Sequence, residues 1–206
     1  YLLLDRKHMI RLIFDSIHNG SALGQLGGSV PLPETISWPT DIDGKPMLHL
    51  LTLHIDALTQ ISPINLPNDN VVSIFIPYDH LYKGHVPLLR PTRLSKGAKV
   101  LAFKPGRNFI NRNEHPLDPP LNINFEKTSK NDDNENLESK IGDTPAWLQD
   151  EIEIEDAKYF LQISYSDLDK NFPSHAGIIW GGEGYLFLFD KVASNNVFGH
   201  FVVQFT

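Results

Sequence analysis

The residues best suited to chemistry in this sequence are its nine histidines. Imidazole nitrogens bind transition metals and carry protons, and a helical metal site places two histidines four residues apart on one face. No histidine pair has that spacing on a predicted helix, and His49 and His54 are expected on opposite faces of a strand because five positions separate them. We therefore expect ordinary surface histidines. The alternative is a metal site that the fold assembles from distant positions, namely His80, His85, His115 and His175.

Serine, cysteine and carboxylate chemistry lacks its usual signatures. The Gly-x-Ser-x-Gly pattern that exposes a nucleophilic serine is absent. Zero cysteines exclude disulfides, thiol nucleophiles and cysteine-ligated metals. Neighbouring acids such as Asp41 with Asp43 are typical of turns, because aspartate side chains bond local backbone amides. The sequence therefore predicts no catalytic residue, no metal and no cofactor.

Tryptophans and glutamines are the remaining candidates for a pocket. An indole ring covers much apolar area and needs a partner for its N–H, so it suits both a core and a pocket wall. A strand glutamine between apolar residues is costly to bury unless its amide is bonded, which fits either a polar site or a structural bond to a nearby loop. The possible pocket comprises Trp38, Trp147, Gln149, Gln162 and Trp180. Such a pocket would suit two alternative functions. The protein could bind a small molecule, or it could be a hydrolase or a metal-dependent enzyme.

The charges are divided along the chain, whose formal net charge is −7. Residues 126–158 hold 11 acidic and four basic residues, which leaves 14 of each sign elsewhere. Residues 83–112 hold eight basic residues and no acidic ones. The basic stretch lacks interleaved aromatics and any nucleic-acid motif, so we expect a solvated region rather than a nucleic-acid site.

Two stretches share one pattern of predicted strands. Residues 46–80 and 157–191 each contain an alternating strand, an irregular proline-containing connection and a second strand closed by an aspartate. In the second stretch, the glycines of 181–184 predict a tight turn that would pair Ile178–Trp180 with Tyr185–Phe189 as a hairpin. We predict an internal repeat, with two unrelated strand pairs as the alternative.

The first part of the chain is predicted to be helical. Arg6 to His18 carries apolar residues at helical spacing, and Asn19-Gly20 follows as a stop signal. The predicted fold is α+β, with a mainly antiparallel sheet built from two related strand–loop–hairpin halves and this N-terminal amphipathic helix. A length of 206 residues with 41% hydrophobic content suits a single domain spanning 1–206.

The loop after this helix carries a string of motifs. Gly27-Gly28-x-x-Pro31-x-Pro33, then Trp38-Pro39 and Asp43-Gly44-Lys45-Pro46, resembles the opening signature of the YwqG-like family, bacterial proteins of unknown function. The resemblance continues, in the family's order, at Gly142 to Gln149, at Leu161-Gln162-Ile163, at Trp180-Gly181 to Phe187 and at Val203-Gln204. It implies one compact YwqG-like domain with a glycine- and proline-rich loop after its first helix.

Two departures from the family pattern bear on specificity. Where the family has Gln-Ile-Asp after the hydrophobic residues of its first strand, this chain has His54-Ile55-Asp56. Residues 83–140 match nothing in the family pattern, so this stretch is predicted to be a variable charged insert.

A folded bacterial domain without catalytic motifs most often works by contact. We therefore predict a non-enzymatic protein-binding module, most specifically an immunity protein that neutralises a cognate toxin with a basic domain. The candidate contacts are the acids Asp132, Asp133, Glu135, Glu138, Glu151, Glu153 and Glu155.

The sequence also bears on the compartment. The chain has no run of 18 apolar residues, which predicts no membrane span. Absence of cysteine fits a reducing compartment, so we expect the cytoplasm. Since the chain begins at Tyr1 we expect a further N-terminal piece, and this leaves the periplasm as the alternative.

Overall fold

A computed structural model describes residues 8–16, 22–59, 61, 64–90, 97–129, 137–142, 144–175 and 177–206. Within them lie ten strands, two short α-helices and one 3-10 helix. The strands are β1 His8–Ser16, β2 Gly24–Leu26, β3 Leu48–His54, β4 Val71–Ile76, β5 Lys99–Phe103, β6 Leu121–Ser129, β7 Lys140–Ile141, β8 Ala157–Ser164, β9 Gly182–Phe189 and β10 Val197–Phe205. The α-helices are α1 Ile55–Leu58 and α2 Tyr165–Asn171, and the 3-10 helix is Lys83–Leu89.

The strands form one closed barrel with antiparallel pairing between all neighbours. Their order around the barrel is β1-β6-β2-β3-β4-β5-β10-β9-β8-β7, and β1 also pairs with β7 to complete the ring. The predicted α+β class is therefore wrong. The α-helices, of four and seven residues, follow β3 and β8 directly, and they add no separate helical layer.

The predicted N-terminal helix is also wrong, because residues 8–16 of the predicted span form β1. Residues 6–7 and 17–18 of that span lie outside the described residues. This strand pairs with β6 over nine residues, from His8 with Ser129 to Ser16 with Leu121. Its sequence fits both the two-residue repeat of a strand and the 3.6-residue repeat of a helix. In the structure Ile10 and Leu12, which are two positions apart, both face the barrel core. The neighbouring apolar residues also match helical spacing, which explains the wrong prediction. Pairing with a nine-residue partner strand decides in favour of the strand.

The predicted hairpin between Ile178–Trp180 and Tyr185–Phe189 does not form. Ile178–Trp180 lies in a turn, and β9 begins at Gly182, so it contains two of the glycines assigned to a tight turn. β9 pairs with β8 and β10 instead. A Cβ built on Gly184 would lie 2.2 Å from the Cζ of Phe201, so the glycine makes room for that ring.

The core fills the barrel, and two covering segments bury part of its outside. Alternate residues of β4 and β9, such as Val72, Ile74 and Leu186, belong to the large interior cluster. The residues between them face outward, yet all six residues of β4 are buried. The first covering segment, residues 30–47 with Trp38, packs on outward Phe75. The second covering segment, residues 144–156, covers the outer face of β9. Strands buried on both faces read as continuous apolar runs rather than as alternating ones.

The two predicted repeat segments occupy matching places in the ring. Counting outward from the β5–β10 contact, β4 matches β9 and β3 matches β8. Segments 46–80 and 157–191 each contain a strand, a short helix directly after it, and a second strand paired antiparallel to the first. The internal repeat and the single domain stay predictions. The predicted insert at 83–140 contributes two barrel strands, β5 and β6.

Candidate functional site

The four histidines that are far apart in sequence meet around Tyr78, two residues beyond the end of β4. The centroid of the Tyr78 ring lies 5.1 Å from that of His85, 5.8 Å from that of His175 and 6.4 Å from that of His80. His115 stacks on His80 with centroids 4.4 Å apart and ring planes inclined by 21°. Each histidine comes from a different part of the chain: the end of β4, the 3-10 helix, the β5–β6 connection and the turn after α2.

Hydrogen bonds tie this cluster together. The hydroxyl of Tyr78 lies 3.4 Å from Nδ1 of His80 and 3.3 Å from Nδ1 of His175. A phenol has one proton, so it donates to one imidazole and accepts from the other. Burial raises the pKa of Tyr78 to about 12, with a smaller contribution from Asp79, so the hydroxyl keeps its proton at neutral pH. Burial lowers the pKa of His175, and His80 and His115 lower it further.

His85 joins two loops from beside the tyrosine. Its Nδ1 lies 3.0 Å from the carbonyl oxygen of Tyr82, and its Nε2 lies 3.0 Å from that of Gly177. A neutral imidazole donates one hydrogen bond, so only the protonated ring satisfies both carbonyls. Burial lowers the pKa of His85, which favours the neutral ring. The role of His85 is thus to connect the loops beneath the cluster.

An open pocket of about 300 Å³ borders the cluster, and we call it the histidine pocket. Its charged and titratable lining residues are Lys45, Tyr78, Asp79, His80, Arg112, Glu114 and His115. Lys45 Nζ lies 3.7 Å from a carboxylate oxygen of Asp79, whose other oxygen accepts from the backbone N–H of Leu81. The N–H of Leu81, followed by Lys45, keeps the pKa of Asp79 below its ordinary value.

The described residues contain no group of three or more His, Asp or Glu side chains that could hold a metal ion. The stacked rings of His80 and His115 lie face to face instead of directing their nitrogens at one point. The histidine pocket can instead form hydrogen bonds through its imidazole rings, and Lys45 and Arg112 add positive charge to its lining. The described part of the chain also has no helix long and apolar enough to cross a membrane.

A second concave surface, the glutamate groove, lies on the outside of β8 and β9. It measures about 600 Å³, and Trp147, Tyr159 and Phe187 form its aromatic floor. The Trp147 ring is stacked near Phe187, with centroids 6.4 Å apart and planes inclined by 14°. Three glutamates of the second covering segment line the groove and are exposed to solvent, namely Glu151, Glu153 and Glu155.

Gln162, a predicted pocket residue, is completely buried in the barrel wall. Its Oε1 accepts the backbone N–H of Ala146 at 2.9 Å, and its Nε2 donates to a carboxyl oxygen of Glu183 at 3.1 Å. The other carboxyl oxygen accepts from the hydroxyl of Ser164 at 2.9 Å. Burial raises the pKa of Glu183 to about 8. This network holds the covering segment on the barrel, and it is the structural use that the sequence left open.

Gln149 has a similar structural role within the second covering segment. Its side-chain Nε2 donates to the carbonyl of Phe205 at 2.8 Å, and its backbone N–H donates to Oε1 of Gln204 at 3.1 Å. The N–H of Leu148 donates to the same oxygen at 3.0 Å. Gln149 and Gln162 therefore attach the segment that carries Trp147.

The three tryptophans do not enclose one pocket. The indole N–H of Trp38 donates to the carbonyl of Met47 at 3.0 Å, and its ring packs edge-on against Phe75 with centroids 5.1 Å apart. Trp147 lies in the glutamate groove. Trp180 is 51% exposed in the turn before β9. A shared tryptophan-lined pocket is therefore not formed.

The acidic residues predicted for partner binding fall into three groups. Asp132, Asp133 and Glu135 lie outside the described residues. Glu138 forms an ion pair with Arg11, with the carboxylate 3.1 Å from Nε. The structure brings Glu151, Glu153 and Glu155 together in the glutamate groove.

Sequence reasoning missed two arrangements. It named the four histidines but had no way to bring them together, because their meeting depends on strand order. Glu183 had a visible signal: a charged residue stands between two glycines in an otherwise apolar strand, and such a residue needs a buried partner.

Comparison with known proteins gives no identification. A scan against protein-family models finds no match, and a search of curated proteins finds no relative. The resemblance to the YwqG-like family therefore stays a prediction.

Proposed function

We propose that the protein is a non-enzymatic binding module that holds a positively charged segment of a partner protein in the glutamate groove. The observation that carries this proposal is the placement of three exposed carboxylates beside an aromatic floor. None of them forms an ion pair with another described residue. In its most specific form the protein is an immunity protein for a basic bacterial toxin domain.

The covering segment explains how the carboxylates are displayed. Exposed glutamates alternate with the partly buried Ile152 and Ile154. The isoleucines pack against a cluster of Tyr185, Phe187 and Val202 on the outer face of the sheet. Because neighbouring side chains of an extended segment point in opposite directions, anchoring the isoleucines turns the glutamates outward.

The groove suits lysine and arginine side chains. Their aliphatic stems can lie on apolar surface while the charged head stays near carboxylates. A guanidinium placed over Trp147 would gain a cation–π interaction of about 0.5–2 kcal/mol. The aromatic floor thus adds affinity to what charge alone provides.

Charge density favours a basic partner as well. Residues 150–156 contain five acids and no basic residue, so the free protein holds mutually repelling carboxylates. A basic segment relieves this repulsion, and the negative field speeds and orients its approach. Salt screens such interactions beyond a Debye length of about 8 Å at physiological ionic strength.

The immunity form is tested by co-expression with the toxin-like reading frame beside its gene, followed by pull-down and growth assays. The triple variant E151Q/E153Q/E155Q is expected to weaken partner binding at least about tenfold and to abolish rescue, because each neutralised charge removes attraction. The matched control E34Q/D43N/D169N removes the same charge from exposed acids elsewhere and should bind within about twofold of the unmodified protein.

The partner's affinity should also fall steeply between 50 and roughly 300 mM salt for the unmodified protein and only weakly for the glutamate variant. Equal binding by both triple variants would move the interface away from the groove. A chain that neither binds nor rescues would contradict the immunity form itself.

A further inference from the structure

We propose that the histidine pocket is a second binding site, which takes a small ligand carrying an oxyanionic group such as a sulfate, phosphate or carboxylate. This site is built from other residues than the glutamate groove and does not depend on the function proposed there. The pocket volume of about 300 Å³ admits a small metabolite or an inorganic anion.

Two cations from separate loops reach this pocket. Arg112 lines it and is exposed, and it forms no ion pair with any residue that the structure describes. A guanidinium presents N–H groups in a planar fork that matches two oxygens of one anion. Lys45 lies on the rim and shares its charge with Asp79 at 3.7 Å. Arg112 is therefore the main candidate anchor.

The histidines add donors beside this anchor. Nδ1 of His80 faces the Tyr78 hydroxyl, and its Nε2 makes no hydrogen bond to another described residue. His115 is exposed, and its ring contacts His80 by stacking. Both rings thus keep ring nitrogens that can form hydrogen bonds with a ligand.

Other charged groups set the direction of the pH dependence. Asp79 and Glu114 line the pocket and oppose an anion, although Asp79 is occupied by Leu81 and Lys45. Tyr78 also lines the pocket, His85 and His175 pack against its ring, and the carboxylate of Asp118 acts on His175. Burial lowers the pKa values of His85 and His175, so acidification adds positive charge next to the pocket, and anion binding should tighten as pH falls.

Sulfate is the probe, because its charge stays constant over the pH range used. The whole chain is titrated with sulfate at pH 7.5 and 5.5 by isothermal calorimetry and by histidine ring NMR signals. We expect saturable binding whose dissociation constant falls about threefold or more at the lower pH. R112Q should weaken binding at least about fivefold, whereas R107Q, an exposed arginine outside the pocket, should leave it unchanged.

A second pair of variants separates the imidazoles from the arginine. H115Q should weaken binding because it removes an imidazole from the pocket lining, and H54Q, which changes an exposed histidine at the end of β3, should not. Circular dichroism checks that each variant is folded. A parallel titration with acetate shows whether a carboxylate binds as well, and binding of either anion with loss in R112Q supports the site.

Three results would overturn the proposal. They are absence of saturable binding of both anions, equal affinities in R112Q and R107Q, and affinity that does not change with pH. Partner binding through the glutamate groove is measured with different variants. A negative result at one site therefore does not affect the interpretation of the other.

Discussion

At the scale of single residues, Glu183 is a carboxyl group placed inside the wall of a barrel. It is 3% exposed and lies between the hydroxyl of Ser164 and the amide of Gln162. Burial disfavours the carboxylate, and although the two hydrogen bonds act the other way, the pKa rises from 4.5 to about 8. The group is therefore mostly protonated near neutral pH, and folding depends on pH through it.

Because the folded protein binds this proton more tightly than the unfolded chain, the free energy of unfolding falls as pH rises from 4.5 through 8. The substitution E183Q imitates the protonated acid and removes this dependence. We expect the stability of E183Q relative to the unmodified protein to be about 3 kcal/mol more favourable at pH 8 than at pH 5. Urea unfolding at both pH values measures this difference.

The control for this experiment is E34Q, which changes an exposed glutamate. Its stability relative to the unmodified protein should be the same at pH 5 and pH 8. If E183Q also shows no change between the two pH values, Glu183 is ionised in the folded protein and the assigned cause is wrong.

How far the sequence predicts the site can be judged from Gln162 and its neighbours. The cost of burying an amide in an apolar strand identified it as a residue with a required partner. The partner, Glu183, lies 21 positions later and is reached only through the pairing of β8 with β9. The histidines show the same limit, since Tyr78 and His175 are 97 positions apart. Residue chemistry is local information, but strand order is not.

At the scale of elements, β1 shows why periodicity alone misjudged the first segment. Apolar residues at nearly every second and every third or fourth position satisfy strand and helix templates together. β3 and β8 were recognisable because their alternation is cleaner, and each is followed within one residue by a short helix. The helix after β8 begins at an N-cap serine, Ser164, whose hydroxyl accepts the N–H of Ser166 at 3.3 Å.

Gly184 in β9 decides how tightly the barrel interior can pack. The substitution G184A places a methyl group 2.2 Å from Cζ of Phe201, so the buried ring must move. We expect G184A to lower the free energy of unfolding by about 1–3 kcal/mol, because overpacking forces side chains off their preferred positions. The double variant G184A/F201L, with a shorter side chain, should recover part of this loss relative to F201L alone.

The unmodified protein, G184A, F201L and G184A/F201L form a double-mutant cycle. Chemical denaturation of all four proteins gives the coupling energy between the two substitutions. Additive losses would mean that the new methyl group does not meet the ring. In that case, the glycine would be required by backbone geometry, and the contact with Phe201 would have no role.

At the scale of the whole molecule, one closed barrel carries two different surfaces. The outward faces of β4 and β9 are each covered by a segment with one tryptophan, Trp38 or Trp147. The second covering segment carries the glutamates, whereas Lys45 lies in the β2–β3 connection and Arg112 in the β5–β6 connection. The glutamate groove is therefore acidic, whereas the histidine pocket combines Lys45 and Arg112 with Asp79 and Glu114. The closed ring keeps these surfaces on one framework, and closure itself depends on β1.

The substitution L12P tests whether closure of the barrel requires β1. Leu12 lies in the middle of this strand, and its side chain is part of the core. Its backbone N–H donates to the carbonyl of Ser139 at 2.8 Å. The matched control L12A shortens the side chain but keeps the N–H, and it should cost about 2–4 kcal/mol while unfolding remains cooperative. Proline also removes the donor and breaks the pairing of β1, which frees the edges of β6 and β7. We therefore expect L12P to lose cooperative unfolding and to aggregate, as measured by denaturant titration and light scattering. If L12P instead unfolded at the same midpoint as L12A and stayed monomeric, closure through β1 would not be required for the fold.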